Sequence, residues 1–272
     1  MTKEQAGILG SEPHTGGLAI PSTKHKPPKN LADGMIKALR PRQWVKNVLV
    51  LAAPMAAGSD VLLNRRTIID VAIAFAVFCM AASAIYLVND AKDVEADRAH
   101  PTKQFRPIAA GVLPVGLAYG MAVLLIAGSV GVSLLASSGR NLAIVMAIYI
   151  VLQLGYCFGW KHLPVIDIAL VSSGFMLRAM AGGVAAGITL SQWFLLVAAF
   201  GSLFMASGKR YAEILLAEKS GAKIRKALEG YTPTYLRFVW TLSATAVVMS
   251  YALWGFEMAN MVQHHGAVWY QV

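Results

Sequence analysis

Apolar residues in this chain come in long runs, not in the alternation of half-buried strands or the one-sided spacing of surface helices. Such runs cover about 44–58, 67–88, 115–136, 142–159, 164–188, 190–208 and 238–256. A helix needs about 20 apolar residues to cross a bilayer, and most of these runs approach that length; the first is short and contains Pro54. The pattern predicts an all-α polytopic membrane protein with about seven spans. Residues 1–30 carry Gly, Pro, Ser, Thr and Lys without apolar periodicity and lack the compact apolar core of a signal peptide, which predicts a disordered cytoplasmic tail. Between tail and first run, Leu31, Met35, Ile36 and Leu39 recur at helical spacing beside Lys37 and Arg40, the pattern of a short helix lying in the interface. It leads into Arg40-Pro41-Arg42-Gln43-Trp44-Val45-Lys46-Asn47, where Trp44 is placed as an interfacial anchor. The membrane body is expected over 31–258, followed by a polar C-terminal end at 259–272.

Composition agrees with the pattern. Hydrophobic residues make up 57% of the chain and charged residues 14%, with a mean hydropathy of +0.56, which excludes an ordinary soluble domain. A formal charge of +10 raises the question of nucleic acid, but that would need a basic face on a soluble module. The charges instead divide by side of the membrane. Twenty of the 24 Lys and Arg fall in 1–46, the segment after Val88, Lys161 and 209–237, whereas Arg65, Arg66 and Arg140 lie opposite and Arg178 lies within a run. The positive-inside rule puts the tail and the loops at 89–114 and 209–237 in the cytoplasm of a cell-membrane protein. Cys79 and Cys157 sit in apolar runs without ligand spacing and read as small hydrophobes, and none of the six His shows metal-ligand spacing.

The chemistry concentrates directly after the second run, in Asn89-Asp90-Ala91-Lys92-Asp93-Val94-Glu95-Ala96-Asp97. If the helix continues, Asn89, Asp93 and Asp97 are spaced i, i+4, i+8, and Asp90 joins their face. Hard divalent cations such as Mg²⁺ are held by one or two carboxylates together with waters and substrate phosphates, so this row suits a Mg²⁺-diphosphate complex. A solvated acidic helix end is the plainer alternative. Arg98, Lys103 and Arg106 come soon after, and they would grip a metal-bound anion from its other side; setting topology and binding lipid headgroups would also account for them.

Asn89-Asp90-x-x-Asp93-x-x-x-Asp97-Arg98 followed by Pro101-x-Lys103-x-x-Arg106-Pro107-Ile108-Ala109-x-Gly111 closely resembles the first signature of the UbiA-like intramembrane prenyltransferase superfamily, over about 39–256. The resemblance implies a UbiA-like helical bundle of nine spans around a cavity open to cytosol and lipid, with Mg²⁺ as cofactor on Asn89, Asp90, Asp93 and Asp97, the three Asp being catalytic. It also implies a second Asp motif after the sixth span, where this chain reads Gly208-Lys209-Arg210-Tyr211-Ala212-Glu213. That departure, together with the Arg40 to Asn47 stretch, is similar to the branch that transfers 5-phosphoribosyl from phosphoribosyl diphosphate (PRPP) to decaprenyl (polyprenyl) phosphate for cell-wall arabinan precursors.

On that implication Asn89 and the Asp row hold the metal on the diphosphate, while Lys103, Arg106 and Arg98 pair with its oxygens. Lys46, Lys209 and Arg210 are candidates for the 5-phosphate or the lipid phosphate. Tyr211 and Glu213 are candidates for ribose hydroxyls, with an interfacial anchor the alternative for Tyr211. The attacking lipid phosphate is already anionic, so no general base is needed. Arg178 costs at least about 2.5 kcal/mol within a span; it is expected either to line the substrate cavity or to pair structurally, with Asp167 or a backbone carbonyl. A prenyl diphosphate:aromatic acceptor transferase of the same fold is the second reading, and a non-catalytic ion or lipid transporter the third. No nucleic-acid partner is expected. A homo-oligomer is compatible with so small a membrane body, and no motif fixes its number. Seven runs against nine implied spans leave two readings of the C-terminal end: a shortened polypeptide, or a fold that tolerates losing its last pair of helices.

Overall fold

The computed structural model describes residues 27–220, 228 and 230–265. Most of the tail expected at 1–30, and the end of the chain after His265, lie outside the described residues. Every regular element described is helical.

Helix α1 (Leu31–Ala38) is capped by the Asn30 side chain, which accepts from the Asp33 backbone N–H at 2.9 Å. It stops because Arg40 takes a left-handed backbone, φ 54° and ψ 56°, a conformation that costs a non-glycine residue about 1–2 kcal/mol. Pro41, preset for a first helical position, then opens a 3-10 segment, Pro41–Leu51, that passes into α2 (Ala52–Ala56). After the short α3 (Ser59–Leu62), the Asn64 side chain caps α4 (Arg65–Lys92), and α5 (Val94–Arg98) comes after Asp93. The remaining helices are α6 (Val115–Ser133), α7 (Gly139–Cys157), α8 (Ile166–Ala185), α9 (Gln192–Ser220) and α10 (Pro233–His265).

Among the described residues, α4, α6, α7, α8 and the Pro233–Phe256 part of α10 are long and apolar enough to cross a membrane. The expected count of seven was therefore approximate. The run at 44–58 is divided between the 3-10 segment and α2. The run at 190–208 is the first part of α9, whose apolar stretch is cut short by Lys209 and Arg210. Helix α10 continues beyond 256 to His265.

Helix α4 is the enclosed post of the bundle: 67% of its most apolar window is buried, against 17% for α6 and for α10, which leave most of that window exposed. Phe78, Val77 and Ala81 of α4 pack with Leu142, Met146 and Tyr149 of α7 and Ala181 of α8. Nearer its C-terminus, Leu87 and Val88 meet Ile108 and Leu113, so the polar segment after α5 is nailed to the bundle by buried apolar side chains. A third cluster joins Ile168 of α8, Ala206 and Ile214 of α9 and Leu236 of α10. At the other end of α4, buried Asp70 accepts from the Ser137 N–H at 2.9 Å and fixes the α6–α7 turn.

Lipid offers helices no hydrophobic reward for meeting, so close contact relies on small residues. The 3-10 segment lies so near α8 that a Cβ on Gly182 would collide with the Val50 carbonyl oxygen. Gly182→Ala is expected to lower stability by about 1–3 kcal/mol, read as a lower thermal midpoint of the detergent-solubilised protein, whereas Gly201→Ala, with open space around its Cβ, is expected to leave the midpoint unchanged.

Candidate active site

Helix α4 delivers the Asp row but does not run through it. The helix ends at Lys92, Asp93 takes φ −89° and ψ 14°, and α5 restarts at Val94. The i, i+4 backbone bonds persist, Asp93 N–H to Asn89 O at 2.9 Å and Asp97 N–H to Asp93 O at 2.8 Å. The single face expected of the row is divided all the same. Asp90 and Asp97 are 3% and 2% exposed, while Asn89 and Asp93 are half-buried.

Each carboxylate of the row is met by a cation. Arg40 Nη2 donates to both oxygens of Asp90, at 2.7 and 2.6 Å. Arg106 Nη1 bridges Asp90 Oδ1 at 3.0 Å and Asp97 Oδ2 at 2.6 Å, and Lys103 Nζ lies 3.7 Å from Asp97. Lys161, on the connection between α7 and α8, holds Asp93 at 2.9 Å. Arg98 stays outside this group: it donates to Glu95 and to the Ala109 carbonyl.

Among the described residues no group of three Asp, Glu, His or Cys side chains is gathered as a metal cage. The donor set nevertheless fits a hard cation carried in with a phosphate. Two buried carboxylates converge on one cationic nitrogen, and the remaining ligands of an octahedral ion would be waters and substrate oxygens.

A second cluster stands where α8 and α9 meet. Asp167, fully buried, accepts from Arg210 Nε at 2.8 Å and Nη2 at 3.0 Å, a planar pairing that suits guanidinium and carboxylate. Glu213 accepts from Arg210 at 3.2 Å and lies 4.0 Å from Lys209. Burial opposes the charge on Arg210, and the hydrogen bonds and charge of Asp167 more than offset it, so its pKa is raised. Tyr211 turns its ring toward Trp240, 5.9 Å away, which stacks on Phe204.

Asp167 is thereby committed to Arg210 and does not pair with Arg178, correcting one of the expected partners. Arg178 Nε donates to Asn47 Oδ1 at 2.8 Å, Nη1 to the Gly174 carbonyl at 2.6 Å and Nη2 to the Tyr149 hydroxyl at 2.7 Å. Its guanidinium also lies 4.9 Å from the Tyr149 ring centroid. Of its two expected structural partners, the backbone carbonyl is the one seen. Lys46, one residue before Asn47 and outside the five apolar helices, joins the clusters electrostatically. Loss of hydration, then the charges of Lys209, Arg178 and Arg40, hold its amine below the usual lysine range.

The sequence model of the UbiA prenyltransferase family matches residues 48–270. The chain belongs to the UbiA prenyltransferase family.

Within that family it is 76% identical over 270 residues to the decaprenyl-phosphate phosphoribosyltransferase of Corynebacterium glutamicum, covering 99% of this chain and 81% of the relative. It is 63% identical to the decaprenyl-phosphate phosphoribosyltransferase of Mycolicibacterium smegmatis, over 90% of this chain and 79% of that one. Among solved structures, a UbiA homolog from Archaeoglobus fulgidus bound to GPP and Mg²⁺ aligns with a TM-score of 0.64 at 16% identity, over 81% of this chain and 77% of its own. A structure of digeranylgeranylglyceryl phosphate synthase aligns at 0.60, also with 16% identity, over 82% and 78%. These two share the fold. Membership and the five apolar helices make the chain a multi-pass membrane protein.

Arg40, Lys161, Asn47 and Tyr149 join these networks without any sign in the sequence that they would. Arg40 opens a motif notable for other reasons, and Lys161 is a lone cation between two runs; neither carries a local signal of its partner.

Two outcomes are expected. Arg178→Ala orphans the Asn47 oxygen and the Tyr149 hydroxyl, at about 1–3 kcal/mol for each group left unsatisfied, and a lower thermal midpoint checks it; full stability would mean the network contributes nothing. Removing a like charge raises a lysine pKa, so Lys209→Ala is expected to move the pH at which Lys46 becomes reactive to an amine acylating reagent upward, as monitored by mass spectrometry.

Proposed function

We propose that the chain transfers 5-phosphoribosyl from PRPP to decaprenyl phosphate with release of diphosphate, in the cell membrane and with its site facing the cytoplasm. The observation that carries this reading is the 76% identity to a decaprenyl-phosphate phosphoribosyltransferase, extending over 99% of the chain. The geometry is consistent with it. PRPP presents two separated anionic groups, a diphosphate and a 5-phosphate, and the fold offers two separated cation clusters, at Lys103, Arg106 and Lys161 and at Lys209 and Arg210. A prenyl diphosphate has one anionic head and would bring no phosphate to the second cluster.

In the proposed mechanism Asp90 and Asp97, with Asp93 and Asn89 beside them, would hold Mg²⁺. Bound there, the ion supplies Lewis-acid neutralisation of the leaving diphosphate, an effect worth several kcal/mol. Arg106 and Lys103 exchange their carboxylates for diphosphate oxygens. Lys46, Lys209 and Arg210 take the 5-phosphate and the lipid phosphate, and Glu213, beside Arg210, is available to a ribose hydroxyl. An oxygen of the lipid phosphate bonds to ribose C1 as the bond from C1 to the diphosphate oxygen breaks, and the electron pair leaves with diphosphate. The nucleophile is an anion at neutral pH, so no proton has to be removed. Carbohydrate of this kind feeds the arabinan of the cell wall.

Purified chain mixed with Mg²⁺ and PRPP is expected to release diphosphate only when polyprenyl phosphate is added. Asp93→Asn is expected to reduce that release by on the order of 10²-fold or more, as for other losses of charge stabilisation in a transition state, whereas Lys209→Asp with Arg210→Asp is expected not to improve it. Diphosphate appearing only from prenyl diphosphate with an aromatic acid would show the reading to be wrong.

A further inference from the structure

Arg40 takes no part in the transfer mechanism proposed for the Asp row, yet it approaches that row as closely as Arg106 does, at 2.6 Å. Its Nη2 atom stands astride both oxygens of Asp90, at 2.7 and 2.6 Å. One positive centre shared by two oxygens of one carboxylate has the arrangement of a chelated cation, not of the parallel two-nitrogen fork that Arg210 forms with Asp167. The Arg106 Nη1 atom likewise sits between Asp90 and Asp97. The chelating and the bridging positions on this carboxylate pair are thus both held by guanidinium nitrogens.

Charge decides which species can displace them. Asp90 and Asp97 carry two negative charges, and Arg40, Arg106 and Lys103 already bring three positive ones. A bare divalent ion entering this buried group meets net repulsion, strengthened by the low local dielectric. A diphosphate supplies the negative charge that lets the cations leave the carboxylates. Arg40 is held ready for that exchange. The Tyr86 ring lies 4.6 Å from its guanidinium, and the Asp90 side chain is the only carboxylate it contacts among the described residues. Its left-handed backbone, anchored by Arg40 N–H to Lys37 O and Gln43 N–H to Arg40 O, directs the side chain back over α4.

We propose that Arg40 is a stand-in for the metal on Asp90, which excludes the free ion and passes to a diphosphate oxygen when metal and diphosphate arrive together. This role for Arg40 rests on the Asp row being the metal site of the proposed function. Its consequence is an order of binding: the metal enters as its diphosphate complex and is not loaded first.

Mn²⁺ binding to the full chain in detergent, measured by electron paramagnetic resonance, tests this without turnover. The wild-type protein is expected to hold Mn²⁺ weakly alone and at least about tenfold more tightly with inorganic diphosphate, the size of one charge-assisted hydrogen bond. Arg40→Gly accepts the left-handed backbone without strain and removes only the side chain. It is expected to bind Mn²⁺ alone more tightly than wild type and to lose most of the gain from diphosphate, while Arg40→Lys restores part of that gain. A purely structural Arg40 would weaken both measurements together, and that result, or no change in either, overturns the proposal. Wild-type protein that takes up no Mn²⁺ even with diphosphate overturns the assignment of the Asp row as well.

Discussion

A carboxylate withdrawn from water must find a cation or give up its charge, and that requirement organises the polar end of this bundle. Asp90, Asp97 and Asp167 are all but inaccessible, and each is answered by arginine. The apolar framework makes these pairings possible. Leu87 and Val88 pack on Ile108 and Leu113, which holds the segment bearing Lys103 and Arg106 against the end of α4. Ile168 packs with Ala206 and Ile214, which does the same for Asp167 and Arg210. The fold places opposite charges at contact distance with apolar side chains, and the charges then fix the register of the loops.

The pairing also explains how the site departs from a preformed metal cage. Carboxylates that waited for an ion with no cation at hand would be costly to bury. Here they are neutralised internally, and under the proposed function the binding of a polyanion is an exchange of partners. Buried ion pairs contribute little to stability in themselves. In the proposed function their use is that they can be traded.

Much of this architecture was legible in the sequence because bilayer physics writes it in long runs: α4, α6, α7, α8 and α10 coincide with apolar stretches. The first run was not legible as a 3-10 segment. Hydropathy records the apolar content of 44–58 but not the near-contact of Gly182 with Val50 that holds the segment against α8. The Asp row was legible from its spacing and the departure at Lys209 and Arg210 from its sign. The partners were not, since Arg40 lies 50 residues from Asp90 and Lys161 lies 68 from Asp93. The cost of burying Arg178 could be read from its position, whereas its attachment to Asn47, 131 residues away, needed the fold.

The interruption of α4 at Asp93 separates two kinds of material. Before it, the chain is the most enclosed of the five apolar helices; after it come Asp97, Lys103 and Arg106 on a polar segment fastened by a few apolar side chains. The joint falls within the charged row itself. The rearrangement of the row that the proposed binding of a phosphate requires can therefore be absorbed by a short length of backbone. On the proposed function the spans can remain still while the chemistry proceeds at their ends, and the bilayer is spared the work of accommodating it.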